Sequence, residues 1–472
     1  MVGKGGAADR GMESVKRGSA AIACALVVLV YAFFASGGDF QFRHATLERS
    51  LYADQAEGFR RGHLHLSTEP DARLLALADP YEPGSRIGIR FPADASLFGG
   101  HYYLYFSPLP VLAAYLPLHA LTGAYPSDAL VALLCAAWLF AASAATLRLL
   151  LPRDERTLPL PLWLLFLGFG SVVPFLLCEV RVYEVAVLFA AALAMTWACS
   201  YVRLRAAPSP SRAAWSALWL ALAVASRPTY AVLIPIAFSA IARQRDRRDI
   251  VRCAAAMCAV FAAIGAAALA YNAARFGSPF EPGFRYQLTF TSNLHRTLGQ
   301  SFTEGGRIVA SLRHYLFWPP HVSTSFPYVT ARLAEARWAA PGTPEEVIGI
   351  GAILPLAFLA RALARRPHER GATALLAGGW LVMAALASGW YVVIRYEADF
   401  LPLLAVGSAA LADRAAAALP HRRIAAAAIG ALALWSIAVG LLIPFQSRDI
   451  SSQLLPTAIK SGPRTIHRSE DR

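Results

Sequence analysis

Long apolar runs alternate with short basic ones along almost the whole chain. Residues 20–35 read AAIACALVVLVYAFFA and residues 428–445 read AIGALALWSIAVGLLIPF. Runs of this kind predict membrane-crossing helices, because about 20 apolar residues in a helix traverse the hydrocarbon of a bilayer. The pattern predicts about eleven crossings, at 19–36, 129–150, 158–178, 183–202, 213–225, 229–242, 251–271, 347–364, 372–390, 400–412 and 424–445. The block SPLPVLAAYLPLHALTG at 107–123 is shorter and carries Pro108, Pro110 and Pro117. It reads as a helix lying at the outer interface; were it to cross, the count would be about twelve. The expected fold class is an all-α polytopic membrane protein with interfacial helices in its first extracytoplasmic loop.

The basic residues between the runs orient the chain. Arg153 and Arg156, then Arg203, Arg205 and Arg212, then the arginines of 243–252, 361–370 and 414–423, all become cytoplasmic in one consistent alternation. The N-terminal segment 1–18 is then cytoplasmic and the polytopic domain covers 19–445. The polar tail 446–472 is extracytoplasmic, as are two long loops at 37–123 and 272–346. A cleaved signal peptide is the competing reading of the first run, since Lys4, Arg10, Lys16 and Arg17 precede it and 32–36 resembles a cleavage site. The run is long for that role, and further spans follow. A multi-pass protein of the bacterial inner membrane is therefore expected.

Composition agrees with this picture and removes some alternatives. Of 472 residues, 57% are hydrophobic, more than a soluble chain of this length needs. The net charge of +14 would suggest nucleic acid in a soluble protein. Here the arginines sit in cytoplasmic gaps, so the charge reports topology and suits anionic lipid head groups; no nucleic acid partner is expected. The cysteines (Cys24, Cys135, Cys178, Cys199, Cys253, Cys258) lie in or beside apolar runs, which leaves neither long loop with a disulfide or a cysteine zinc site. The chain has no phosphate-binding Walker loop, dinucleotide fingerprint or His-Glu-x-x-His motif, which argues against ATP-driven transport by this chain alone.

The candidate chemistry gathers on the outer side. In the first loop Glu48, Tyr52, Gln55, Ala56 and Phe59 recur at helical spacing, predicting an amphipathic helix that ends near Gly62. Asp39, Glu48, Asp54 and Glu57 then sit close to the membrane surface. A carboxylate in a partly desolvated cleft there can act as a general base; for any single acid, a solvated helix face is the simpler account. Tyr102, Tyr103 and Tyr105 follow Gly99 and Gly100, forming either a sugar or lipid contact surface or an interfacial aromatic belt. Glu179, Arg181 and Glu184, then Arg227, then Arg395, Glu397 and Asp399 all fall at the outer ends of spans. Ionisable groups near hydrocarbon usually face a cavity or one another, although arginines can also snorkel to the surface. Arg275, Glu281 and Arg285 line a turn at Gly277 and Pro279, where an arginine fork suits a phosphate or simply caps the turn.

This pattern resembles the GT-C superfamily of membrane glycosyltransferases, which includes protein O-mannosyltransferases and aminoarabinose transferases. Those enzymes are similar in having an acidic first extracytoplasmic loop with interfacial helices and a second large loop after the seventh span. Their Asp-Glu-x-x-Tyr motif resembles Glu48-Arg49-Ser50-Leu51-Tyr52 here, with Glu where the family has its catalytic Asp. Their Lys-Pro-Pro segment resembles Ser107-Pro108-Leu109-Pro110, without the lysine. A basic residue after the fifth span resembles Arg227, an acid after the third resembles Glu184, and an Arg-Tyr start of a late span resembles Arg395 and Tyr396. The stretch YNAARFGSPFEPGFRYQL from Tyr271 resembles one in uncharacterised bacterial membrane proteins grouped with these transferases.

The resemblance implies transfer of a sugar from a polyprenyl-phosphate donor to an acceptor on the extracytoplasmic face. Glu48, or Asp39 or Asp54 in its place, would be the catalytic base. Arg227, Arg395, Tyr396, Arg181, Glu184, Arg275 and Arg285 would meet the donor, and Tyr102, Tyr103 and Tyr105 the acceptor or lipid. Some relatives use a divalent metal, but no dedicated ligand set is evident in this chain. Two other functions fit the same pattern: a solute transporter or lipid flippase, and a non-catalytic membrane protein that keeps the fold.

Overall fold

A computed structural model describes residues 5–242, 244, 246–290, 305–335, 345–363, 370–389 and 392–447. These residues are mostly helical, and among them seven helices are long and apolar enough to cross a membrane: Gly18–Ala35, Asp128–Leu150, Val182–Ala206, Arg247–Phe276, Arg370–Ala387, Ile394–Ala418 and Arg422–Gln446. In chain order the helices are α1 (Gly5–Ala35), α2 (Leu51–Arg60), α3 (Ala72–Leu75), α4 (Leu116–Thr122), α5 (Asp128–Leu150), α6 (Leu160–Phe169), α7 (Val173–Leu176), α8 (Val182–Ala206) and α9 (Pro210–Ser226). There follow α10 (Ile234–Ser239), α11 (Arg247–Phe276), α12 (Gly305–Phe317), α13 (Ile350–Ile353), α14 (Leu356–Leu363), α15 (Arg370–Ala387), α16 (Ile394–Ala418) and α17 (Arg422–Leu442).

Local chemistry sets the ends of the long helices. Ser127 caps α5 by accepting from the Leu130 amide at 3.2 Å. The side chain of Glu184 accepts from the Arg181 backbone amide at 2.9 Å and closes a capping box on α8. α11 stops where Gly277 takes a left-handed φ of 71°. α8 and α16 form the centre, each with 89% of its apolar window buried inside the protein, and α5, α9 and α15 pack around them. α11 turns most of its surface outward, as a lipid-facing helix does, with 11% of its window buried.

Four of the eleven expected crossings take a shorter or broken form. The 158–178 segment divides at Gly170 and Ser171 into α6 and α7, and 213–225 lies in the 17-residue α9. The 229–242 segment is a 3-10 turn at Pro228–Leu233 followed by α10, and 347–364 breaks before Pro355 into α13 and α14. Proline supplies the break in the last two, since it lacks an amide donor and crowds the preceding turn. The 107–123 block forms one short apolar helix, a π-helical turn at Val111–Tyr115 running into α4.

The two ends of the bundle differ. At one end the buried Asp413 carboxylate accepts from the Thr157 amide (2.6 Å), the Leu158 amide (2.9 Å) and the Trp163 indole (2.8 Å). Beside it Arg414 pairs with Glu155 at 2.7 Å. At the other end the two long loops meet. Within the first, β1 (Ser96–Phe98) and β2 (His101–Tyr103) form a hairpin that turns on Gly99 and Gly100, at φ of 57° and 80°. Short strands were not expected in this segment. The Asp94 amide donates to the Leu288 carbonyl (2.9 Å), the Leu288 amide to the Ala95 carbonyl (2.8 Å), and the Ser96 hydroxyl to the Gly283 carbonyl (2.7 Å). These bonds stitch the loops into one layer at one end of the helices. In the second loop β3 (His321–Val322) pairs with β4 (Val329–Thr330), and β5 (Arg332–Leu333) with β6 (Glu346–Val347). The tail beyond 447, Arg243 and Arg245, residues 364–369 of the basic gaps, and residues 291–304 and 336–344 of the second loop fall outside the described residues.

Candidate functional site at the loop face

Where the loop layer rests on α8 and α16, acids, arginines and tyrosines converge. Asp94, in the first loop, holds a left-handed φ of 66°, which aspartate tolerates better than most residues. Its carboxylate accepts from the Gln287 side-chain nitrogen Nε2 at 2.7 Å and from the Tyr183 hydroxyl. Burial pushes this carboxyl above the ordinary aspartate range, against the pull of those hydrogen bonds and of the Arg395 and Arg181 charges. Tyr183, in the first turn of α8, lies 4.5 Å beneath the Arg395 guanidinium. Arg395, in the first turn of α16, grips both oxygens of Glu345 from the second loop, one of them at 3.0 Å. Glu184 is within electrostatic reach of the same arginine. Tyr105 belongs to this cluster too: burial pushes its hydroxyl well up, with Tyr183, Asp94 and Tyr396 adding to the shift and Arg395 opposing it.

A second arginine adjoins the first through Tyr396, whose ring stands 5.7 Å from the Arg395 guanidinium and 5.0 Å from that of Arg227. Arg227, just past the end of α9, pairs with Asp399 through Nη2 at 2.7 Å and Nε at 2.9 Å. Tyr230 donates to the same carboxylate at 3.2 Å. Asp399 is fully buried, so this charge is balanced inside the protein and fixes where α9 and α16 meet. Arg395 differs: it is 20% exposed and its partner 29%, at the rim rather than in the core.

Arg227, Glu184, Arg395, Tyr396 and Tyr105 thus come together, while the other expected site residues are placed differently. Asp39 is exposed and caps its own turn, accepting from the Gln41 amide at 2.8 Å. Glu48 is exposed in the turn before α2, whose first residues follow the cap of Ser50 on the Ala53 amide. Asp54 is buried, and its Oδ1 takes the Ser67 hydroxyl (2.5 Å) and the amides of Ser67 (2.9 Å) and Thr68 (3.1 Å). It ties α2 to the following segment. Arg181 caps α8 with its backbone and pairs with Glu179 through an exposed side chain. Arg275 is buried: it donates to the Leu104 carbonyl (2.7 Å) and Asn272 (2.9 Å), so it fastens α11 to the first loop. Arg285 is 64% exposed beside Glu281. Tyr102 is buried behind the hairpin, and Tyr103 packs against Phe276 at 5.1 Å.

Asp94 and Glu345 were not anticipated. Asp94 sits in an ordinary Pro-Ala-Asp-Ala loop, and its partner Gln287 is 193 residues away. Its one local signal is position, just before an aromatic strand pair. Among the described residues no group of three or more His, Cys, Asp or Glu is placed to hold a metal ion. No protein-family model matches the chain, and no characterised protein matches it significantly.

Proposed function

We propose that the protein is a membrane glycosyltransferase that moves a sugar from a polyprenyl-phosphate donor to an acceptor hydroxyl at the loop face, which would be extracytoplasmic. The observation that supports it most is the meeting of a buried carboxyl, Asp94, with a rim arginine, Arg395, through Tyr183 at the loop end of the bundle. A carboxyl with a raised proton affinity is a stronger base than an exposed one. Asp94 takes the proton of the acceptor hydroxyl as that oxygen bonds to the anomeric carbon. The bond from that carbon to the phosphate oxygen breaks with its electron pair, and Arg395 meets the growing negative charge. Arg227 contributes at longer range, because its partner Asp399 is fully buried, whereas Glu345, the partner of Arg395, reaches solvent at the rim.

In this scheme the base moves from Glu48 to Asp94, because Glu48 and Asp39 are exposed and the Oδ1 of Asp54 is committed to three donors. The loop layer, with Tyr105 and Phe106 against Phe284 and Tyr183, keeps water from the donor. All eleven apolar segments, including the four short or broken ones, would lie in the bilayer, with the Asp413 end cytoplasmic. The test is sugar transfer in proteoliposomes supplied with polyprenyl-phosphate sugars. Asp94→Asn is expected to lower the rate by about 100-fold or more, and Glu48→Ala and Asp39→Ala to leave it near wild type. Equal rates for wild type and Asp94→Asn would remove Asp94 from the chemistry. Movement of lipid across the bilayer without bond cleavage would favour a flippase.

A further inference from the structure

Arg395 presents its fork to a carboxylate that the protein itself supplies. The Glu345 pair is two-pronged, the geometry in which an arginine also holds a phosphate. Below the fork the guanidinium is stacked on Tyr183 and flanked by Tyr396, so the arginine cannot swing away to meet a second anion without losing both rings. Glu345 is the freer partner. Its backbone is pinned, since its carbonyl accepts from the Ala334 amide at 3.0 Å and the Ile348 amide donates to Glu397 at 3.1 Å. Its side chain is 29% exposed and can rotate outward while the backbone stays in place.

We infer that Glu345 tunes the anion affinity of this site by acting as a built-in competing anion, which a lipid phosphate must displace to reach Arg395. This role rests on the transfer proposed above. An incoming phosphate replaces the charge that Glu345 gives up, so the exchange never leaves the arginine uncompensated. Ligands without an anionic group gain nothing from this arginine whether or not the carboxylate is in place, so their binding does not depend on Glu345. Anionic ligands bind with an affinity reduced by the competition.

The test is binding of a short-chain polyprenyl phosphate, with the matching polyprenol as the neutral control, to the full chain in nanodiscs. Glu345→Gln is expected to tighten phosphate binding by about 10-fold, with polyprenol unchanged, and Arg395→Gln to abolish the difference between the two lipids. Glu345→Asp keeps the charge but cannot span the fork, and is expected to fall between wild type and Glu345→Gln. If wild type binds the phosphate and Glu345→Gln binds it no better, the carboxylate only anchors the loop; the inference fails and the transfer proposal stands. If neither wild type nor Glu345→Gln prefers the phosphate to the alcohol, both fail.

Discussion

At the scale of single residues, Asp94 is the group on which the proposed function and stability pull apart. Burial raises its proton affinity, so between the ordinary aspartate value and the raised one the folded protein binds more protons than the unfolded chain. Stability from this group is therefore present at low pH and declines as pH rises through that window. At neutral pH the charged carboxylate is a net cost. Asp94→Asn keeps a residue that tolerates the left-handed φ of 66° and removes the charge. Thermal unfolding in detergent at neutral pH is expected to show it at least as stable as wild type while transfer is lost. The wild-type rate is expected to fall with acid below a midpoint above the ordinary aspartate value; a flat profile down to about pH 4, near that ordinary value, would exclude Asp94 as the base. Arg275 makes the opposite case. Arg275→Leu strands the Leu104 carbonyl at a buried site and is expected to cost about 1–3 kcal/mol, seen as a lower melting temperature with donor affinity unchanged in the folded fraction. Arg227, Glu184 and Arg395 could be read from sequence because a charge beside a long apolar run has few places to go. Asp94 could not, since every group that shapes it comes from a distant part of the chain.

Among the elements, the seven long helices were legible as apolar runs, and their limits follow caps that the sequence spells out, such as Ser127 and Gly277. The broken segments were legible only in part. Pro355 announces its break, but the division of α6 from α7 depends on α17. There the Gly440 backbone lies so close that a Cβ would fall 1.8 Å from the Phe169 carbonyl oxygen. Gly440→Ala is therefore expected to push α17 off this break and lower stability by about 1–3 kcal/mol. At Gly265 in α11 an added Cβ would meet nothing within 4 Å, and Gly265→Ala is expected to be neutral or slightly stabilising. Melting curves of the two variants compare them directly, and equal shifts would contradict the packing described. Strands of two or three residues, such as β5 and β6, leave no period in a sequence, which is why the loops read as irregular. They matter nonetheless, because β6 follows Glu345 and holds it over Arg395.

For the whole molecule, the charge pattern predicts that the basic gaps and the two long loops face opposite sides of the bilayer. The loops are bound to one another by backbone hydrogen bonds at Ala95 and Leu288. In a cysteine-free background, Glu48→Cys and Arg285→Cys are expected to react with an impermeant thiol reagent from outside intact cells, and Arg153→Cys only after permeabilisation. Reaction of the first two from different sides would break the loop layer apart. The proposed transfer is best approached through its donor, in the cell. Mass spectrometry of the lipids from cells lacking the gene is expected to show a prenyl-linked sugar accumulating, cleared by wild type but not by Asp94→Asn or Arg395→Gln. A lipid profile identical with and without the gene would contradict lipid-linked sugar transfer as the function of this protein.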